Sequence, residues 1–227
     1  MLTFSFAEGA ELRLLEHHHA EELFALIDRN RPYLRRWLPE WDVYKSLDDC
    51  KSVIKSSLEQ LAANGGFSLG IWWEGRLAGI IGAGNIDKEN HSAIIGYLLG
   101  ESYQRKGLVT GACRALVDYL FSELKLHRVK IRCATGNPRS SAVPKRLGFA
   151  REGVLRQAQA FDDTFLDLEV YGMLAREWKN PFQGVRATPA GRSSGDRGNT
   201  GTATWSSPHR RFRPAGGRRR RPDRVRA

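Results

Sequence analysis

Residues 91–121, HSAIIGYLLGESYQRKGLVTGACRALVDYLF, constrain the fold more than any other stretch. They pass from a strand-like run, HSAIIGYLLG, through a polar and basic loop around Gly107, into an apolar pattern at helical spacing from about Lys106 to Leu124. A helix that starts in such a loop leaves the backbone N–H groups of residues 105–110 without helical partners, aimed at one spot. Gly107 allows a ligand close to the backbone, and Arg105 and Lys106 add positive charge. By itself the loop reads either as an anion site or as a solvated helix start. Two phosphate loops are excluded. GxxxxGK[ST] needs a glycine before the lysine, whereas Gly107 follows Lys106, and GxGxxG spacing is absent.

The remaining segments define the sheet around this unit. ELRLLE (11–16) alternates like a short strand, and residues 17–30 carry Leu23, Leu26 and Ile27 at helical spacing. NRPYLRRWLPEWD (30–42) is aromatic and broken by Pro32 and Pro39. Residues 46–66 read as a helix capped by Ser46, with Asp48 and Asp49 at its positive end and Gly65–Gly66 as its stop. FSLGIWW (67–73), a turn at Glu74–Gly75 and RLAGIIGAGNI (76–86) form a hairpin. After the 91–124 unit come a strand at 127–135, a short helix within 137–149, a strand near 153–155 and a long strand at 165–174. Hairpin strands before a helical crossover predict an α/β (mixed α+β) fold: a mixed, mostly antiparallel sheet with helices on both faces.

Charge divides the chain in two. Residues 184–227 hold 12 of the 36 basic and 2 of the 25 acidic residues, all of the basic ones Arg, so this stretch carries +10 of the net +11. Residues 1–183 keep 24 basic and 23 acidic residues, a net +1. The basicity therefore says nothing about the domain. The Gly/Pro/Ser/Arg-rich stretch has almost no aliphatic residues and is expected to be disordered, leaving residues 1–183 as the folded domain. Its arginines, without aromatic platforms, suit at most salt-sensitive, non-specific RNA contact.

Cys50, Cys113 and Cys133 show no CxxC or Cys/His spacing, which suits buried thiols in a reducing compartment. No stretch approaches the ~18 apolar residues of a membrane span, and the N-terminus lacks a signal-peptide pattern, so a cytoplasmic protein is expected. His17, His18 and His19 are consecutive and point about 100° apart on a helix, so no metal is expected there.

Gln104-Arg-Lys-Gly107 is followed about 30 residues later by a strand and then by NPRSSAVPKRLGF (137–149). This pair resembles the acyl-CoA motifs of the GNAT superfamily of acetyltransferases, and NRPYLRRWLPEW, IIGYLLGESYQRKG, HRVKIRCATGNPRSSAV, LGFAREGVLR and the Asp167-to-Tyr171 D-x-x-x-Y resemble its RimJ/RimL-type ribosomal-protein N-terminal acetyltransferase branch. The likeness runs from about Leu12 to Trp178.

The resemblance implies acetyl-CoA as co-substrate, with its pyrophosphate on Gln104, Arg105, Lys106, Gly107, Leu108, Val109 and Thr110. Val109 stands where the pattern has a small residue, a change that keeps the backbone N–H. It also implies a pantetheine arm beside Leu98 and Leu99, an oxyanion donor near Leu99, contacts from Asn137 and Ser140, and Ser140 as the acid, since Pro144 occupies the place of the tyrosine found in many relatives. Ser140 equally suits a helix cap. Tyr33, Trp37 and Trp41 would wall the acceptor pocket, or else pack in the core.

Ile94 and Gln159 stand where some relatives carry a glutamate base, which leaves the base unassigned. The expected acceptor is a protein N-terminal amine, in particular of a ribosomal protein; relatives often form homodimers. The alternatives are a small amine such as a polyamine, amino acid or antibiotic, an inactive RNA- or ribosome-binding relative, and a CoA-sensing regulator.

Overall fold

A computed structural model describes residues 3–179, so the segment 184–227 and the domain boundary at 183 lie outside the described residues. Eight strands form one sheet: β1 (Thr3–Ala7), β2 (Ala10–Leu14), β3 (Phe67–Trp73), β4 (Arg76–Asp87), β5 (Ser92–Leu99), β6 (Arg128–Ala134), β7 (Ala150–Phe161) and β8 (Thr164–Leu174). Four helices accompany them: α1 (Ala20–Arg35), α2 (Leu47–Ala62), α3 (Leu108–Ser122) and α4 (Pro138–Arg146). The strand order is β1-β2-β3-β4-β5-β6-β8-β7, and only β5 and β6 pair in parallel. The parallel pair exists because α3 crosses over between them.

Alternation along the central strands splits the core into two layers. Leu69, Ile71, Ile81 and Ile95 face α3 and α4, meeting Ala112, Leu116, Val117, Leu120, Val143 and Leu147. Trp72, Leu77, Ile80 and Leu98 face the other way, meeting Leu23, Leu26 and Ile27 of α1 and Cys50 and Ile54 of α2. The expected mixed sheet with helices on both faces is the observed one.

Several element boundaries differ from expectation. β1 was not anticipated; Phe4 and Phe6 alternate inward, and pairing with β2 completes it. α1 runs through Pro32 to Arg35, since Pro32 is exposed and the carbonyl it leaves without a partner can face water. β7 is twelve residues long and mostly exposed, so it has no apolar pattern to reveal it; its ladder to β8 makes it a strand. At α2, Ser46 Oγ accepts the Asp49 N–H at 3.2 Å as expected, but the helix ends at Ala62 and Asn64 (φ 55°) takes the left-handed position ahead of Gly65.

Candidate active site

The loop between β5 and α3 is built to leave donors free. Arg105 (φ 63°) and Gly107 (φ 75°) are both left-handed, and Gly107 is the N-cap of α3. No side chain caps the helix, its first turn holds no acid, and its first helical bond is Gly111 N–H to Gly107 C=O at 3.0 Å. The N–H groups of Leu108, Val109 and Thr110 therefore project at the positive end of the helix dipole. Leu108 is 2% exposed and anchors the turn in the core, so only its backbone is available to a ligand.

Nothing lies within 4 Å of the direction in which a Gly107 Cβ would point. Gln104 Oε1 accepts from Arg139 Nη1 at 2.8 Å, while its Nε2 is buried without a partner among the described residues. Arg146 Nη1 donates to Thr110 Oγ1 at 3.3 Å, and Lys106 lies 5.7 Å over the Trp73 ring. Open backbone donors, an orphaned amide, and cations from the loop and from α4 fit a phosphate-bearing ligand.

β5 and β6 separate beside this loop. Their pairing stops at Ile95↔Ile131. Beyond it Gly96–Leu99 pairs only with β4, through Gly82↔Gly96 to Gly79↔Leu99, and Arg132–Ala134 pairs only with β8. One edge of Gly96–Leu99, which includes Leu98 and Leu99, thus faces a gap with main-chain donors and acceptors available to an extended amide-bearing ligand.

Side chains from both walls of the gap converge at its floor. Asn137 caps α4, its Oδ1 accepting the Ser140 N–H at 3.1 Å. Tyr97 of β5 donates its hydroxyl to the Ser140 carbonyl at 2.8 Å. The Ser140 hydroxyl lies 3.3 Å from Tyr97 Oη and 3.3 Å from Cys133 Sγ of β6. Burial pushes the Tyr97 hydroxyl well up in pKa and raises the Cys133 thiol, the latter offset in part by hydrogen bonds from Ser140 and Tyr97. Both stay protonated near neutral pH. The cluster is a set of proton donors, and Cys133 offers no thiolate for an acyl-cysteine path.

The acceptor-side aromatics divide. Trp37 packs on the β6–α4 loop, where a Cβ at Gly136 would lie 3.4 Å from its ring, at ordinary contact distance. Trp41 is 6% exposed, packs 5.3 Å from Tyr44 and belongs to the core under α1 and α2, and Tyr33 packs partly against the same core. Ile94 is buried and Gln159 sits on β7 opposite Leu166. The Glu40 carboxyl lies beside the Gln159 side chain, and burial raises it above the ordinary carboxylate range.

Sequence reasoning gave no site role to Tyr97, Cys133, Arg139, Arg146 or Glu40. For Tyr97 a signal existed, since it shares a strand face with Ile95 and Leu99. For Glu40 none did, because its partner is 119 positions away.

A backbone anion cradle at a helix start, beside a parallel pair that splays at a cluster of proton donors, defines a transferase that takes a nucleotide-linked extended thioester. The chain belongs to the GNAT acetyltransferase family: residues 10–150 match the family described as acetyltransferase (GNAT) domain. Members of this family use acetyl-CoA as the acetyl donor. The chain is 38% identical over 180 residues to a putative ribosomal N-acetyltransferase, YdaF, of Bacillus subtilis (strain 168), covering 79% of this chain and 98% of the relative. It is 30% identical over 172 residues to the ribosomal-protein-serine acetyltransferase of Escherichia coli (strain K12), covering 76% and 96%. Among solved structures, the microcin C7 self immunity acetyltransferase MccE in complex with acetyl-CoA and AMP superposes with a TM-score of 0.71 at 30% identity, over 74% of this chain and 94% of that one.

Proposed function

We propose that this protein transfers the acetyl group of acetyl-CoA to the α-amine of a protein N-terminus, with a ribosomal protein as the acceptor class. The observation that carries the reading is the placement of the Tyr97–Cys133–Ser140 cluster at the floor of the β5–β6 gap, next to the open N–H groups of α3. The acceptor class is supported by likeness to the E. coli ribosomal-protein-serine enzyme along almost its whole length.

In this reading Gln104, Arg105, Lys106, Gly107, Leu108, Val109 and Thr110 hold the pyrophosphate. The Leu98–Leu99 backbone aligns the pantetheine arm, and an N–H near Leu99 faces the charge that develops on the carbonyl oxygen. One such donor is worth about 3–4 kcal/mol of barrier. Asn137 orients Ser140 and contacts the arm, and Ser140 gives a proton to the departing sulfur. Trp37, with Tyr33 and Trp41 behind it, walls the acceptor side. An α-amine, with a pKa of about 7.7–8.0, is easier to deprotonate than a lysine amine at about 10.4. The reading further assigns catalysis to residues 1–183, a cytoplasmic setting, and to residues 184–227 at most non-specific RNA contact.

The test is incubation of the full chain with acetyl-CoA and Ser- or Ala-initiated peptides, with free thiol and peptide mass followed over time. A gain of one acetyl group at the α-amine is expected. Acetyl-CoA binding without transfer to any peptide would overturn the reading. A small-molecule amine is the second reading, favoured by the equal 30% identity to the microcin acetyltransferase. It predicts the higher kcat/KM for a small amine in the same assay.

A further inference from the structure

Three segments far apart in sequence meet beyond the C-terminal end of β6. The first is the end of α1 and the 3-10 turn Pro39–Val43, which carry Trp37 and Glu40. The second is the β6–α4 loop, where Gly136 underlies Trp37 and the Thr135 N–H donates to the Asp167 carbonyl at 3.0 Å. The third is the β7–β8 hairpin, where the register shifts between Leu155 and Gln159, Gln157 is left-handed (φ 49°) and its N–H donates to Asp167 Oδ1 at 2.7 Å. Two contacts close the junction: Arg35 Nη2 with Asp162 Oδ1 at 3.6 Å, and Glu40 with Gln159.

The charges around Glu40 are matched elsewhere. Asp42 is held by Lys45, Arg31 and Arg35, and Arg35 also meets Asp162. Arg36 lies 5.3 Å over Trp37. On the hairpin, Asp167 is bound to Gln157, while Arg156 and Asp163 are exposed. Arg139 of α4 is turned to Gln104. Among the described residues Glu40 has no cation within ion-pair distance. It is a partly buried carboxylate beside the Gln159 amide, three residues from Trp37, which packs on the loop that leads to Asn137 and Ser140.

We propose that Glu40, held by Gln159, receives the acceptor's ammonium group and takes its proton. The inference rests on the amine-acetylation reading above and supplies its missing base. Gln159 cannot accept a proton, but its Nε2–H can donate to the Glu40 carboxylate and fix its direction. Burial, which raises the Glu40 carboxyl, makes it a better proton acceptor than an exposed glutamate. Glu40 takes one proton from the ammonium. The freed lone pair forms the N–C bond to the acetyl carbon, and the C–S bond breaks with its electrons going to sulfur. Ser140 protonates the sulfur and is restored by the second proton leaving nitrogen. Glu40 then releases its proton to water.

The experiment compares the full-length chain with Glu40→Gln and Glu40→Asp, using acetyl-CoA with a Ser-initiated hexapeptide and with spermidine as acceptors, from pH 6.5 to 9.5. Glu40→Gln should lose about 10–100-fold in kcat/KM at pH 7, a loss that shrinks to within about threefold at pH 9.5 because the amine deprotonates on its own. Its rise with pH should follow the pKa of the amine in place of that of Glu40. Glu40→Asp should retain an intermediate rate, and acetyl-CoA affinity should be unchanged in both. Wild-type kcat/KM and pH profile in Glu40→Gln would overturn the inference and leave the function standing. A loss of equal size at every pH, or one shared by acetyl-CoA affinity, would mark a structural role and overturn it as well. Wild-type protein that binds acetyl-CoA and acetylates neither acceptor would overturn the functional reading and the inference with it.

Discussion

The donor side and the acceptor side of this site are built from different materials. The donor side is a cradle of backbone N–H groups at the start of α3 and one strand edge at Gly96–Leu99. Side-chain identity matters there mainly where it permits a backbone conformation, as at Gly107. The acceptor side we propose is made of side chains, Trp37, Glu40 and Gln159, carried by elements that meet only in the folded state. The floor between them, Tyr97, Cys133 and Ser140, mixes both: its geometry depends on the Ser140 carbonyl and N–H as much as on hydroxyls. A backbone site tolerates drift in its side chains, and a side-chain site can exchange acceptors by a few substitutions.

The contrast is broken most severely by Gly107→Glu. A side chain at φ 75° strains the turn, and its carboxylate would occupy the anion position. Acetyl-CoA affinity should fall by about 100-fold or more. In wild-type protein, ligand at about 100 times Kd should add about 2.7 kcal/mol, read as a rise in melting temperature that the variant lacks.

Ser140→Ala comes next. Loss of the proton donor should lower kcat by about 10–100-fold. Acetyl-CoA affinity should stay within about twofold, since the Ser140 N–H still reaches Asn137, and isothermal titration would separate the two effects.

Tyr97→Phe removes the donor to the Ser140 carbonyl and leaves that acceptor short of one bond. A stability loss of about 1 kcal/mol and a severalfold drop in kcat are expected, from chemical denaturation and steady-state rates.

Val109→Ala should change acetyl-CoA affinity by no more than about twofold, because the N–H at that position survives. A larger change would show that side chains matter to the cradle, and the contrast between the two sides would weaken. Removing residues 184–227 should leave the transfer rate within about twofold.

Much of this was legible in the chain itself. The strand–loop–helix order of 91–121 is local and could be read directly, while the loop alone suited a solvated helix start as well as an anion site. The hairpin Phe67–Asp87 and the helix capped by Ser46 followed from alternation and capping chemistry. Asn137 and Ser140 were visible as a pair three residues apart, but the helix cap, which the sequence allowed at Ser140, falls on Asn137. β7 was visible only as a short strand near 153–155, because an exposed edge strand has no apolar period to show its full length of 150–161. The roles open to Tyr33, Trp37 and Trp41 could not be separated either: all three are aromatics in one Pro-broken segment, and only packing shows Trp41 in the core and Trp37 on Gly136.

Local sequence determined what depends on neighbouring residues: element type, helix caps, the positive φ at Gly107 and the direction of the α3 dipole. Tertiary structure alone decided where β5 and β6 part, that Tyr97 and Cys133 face Ser140, and that Glu40 meets Gln159. Those features depend on pairing registers and contacts between segments many residues apart. The energies that select them are differences in burial and hydrogen bonding that arise only when the whole sheet has formed.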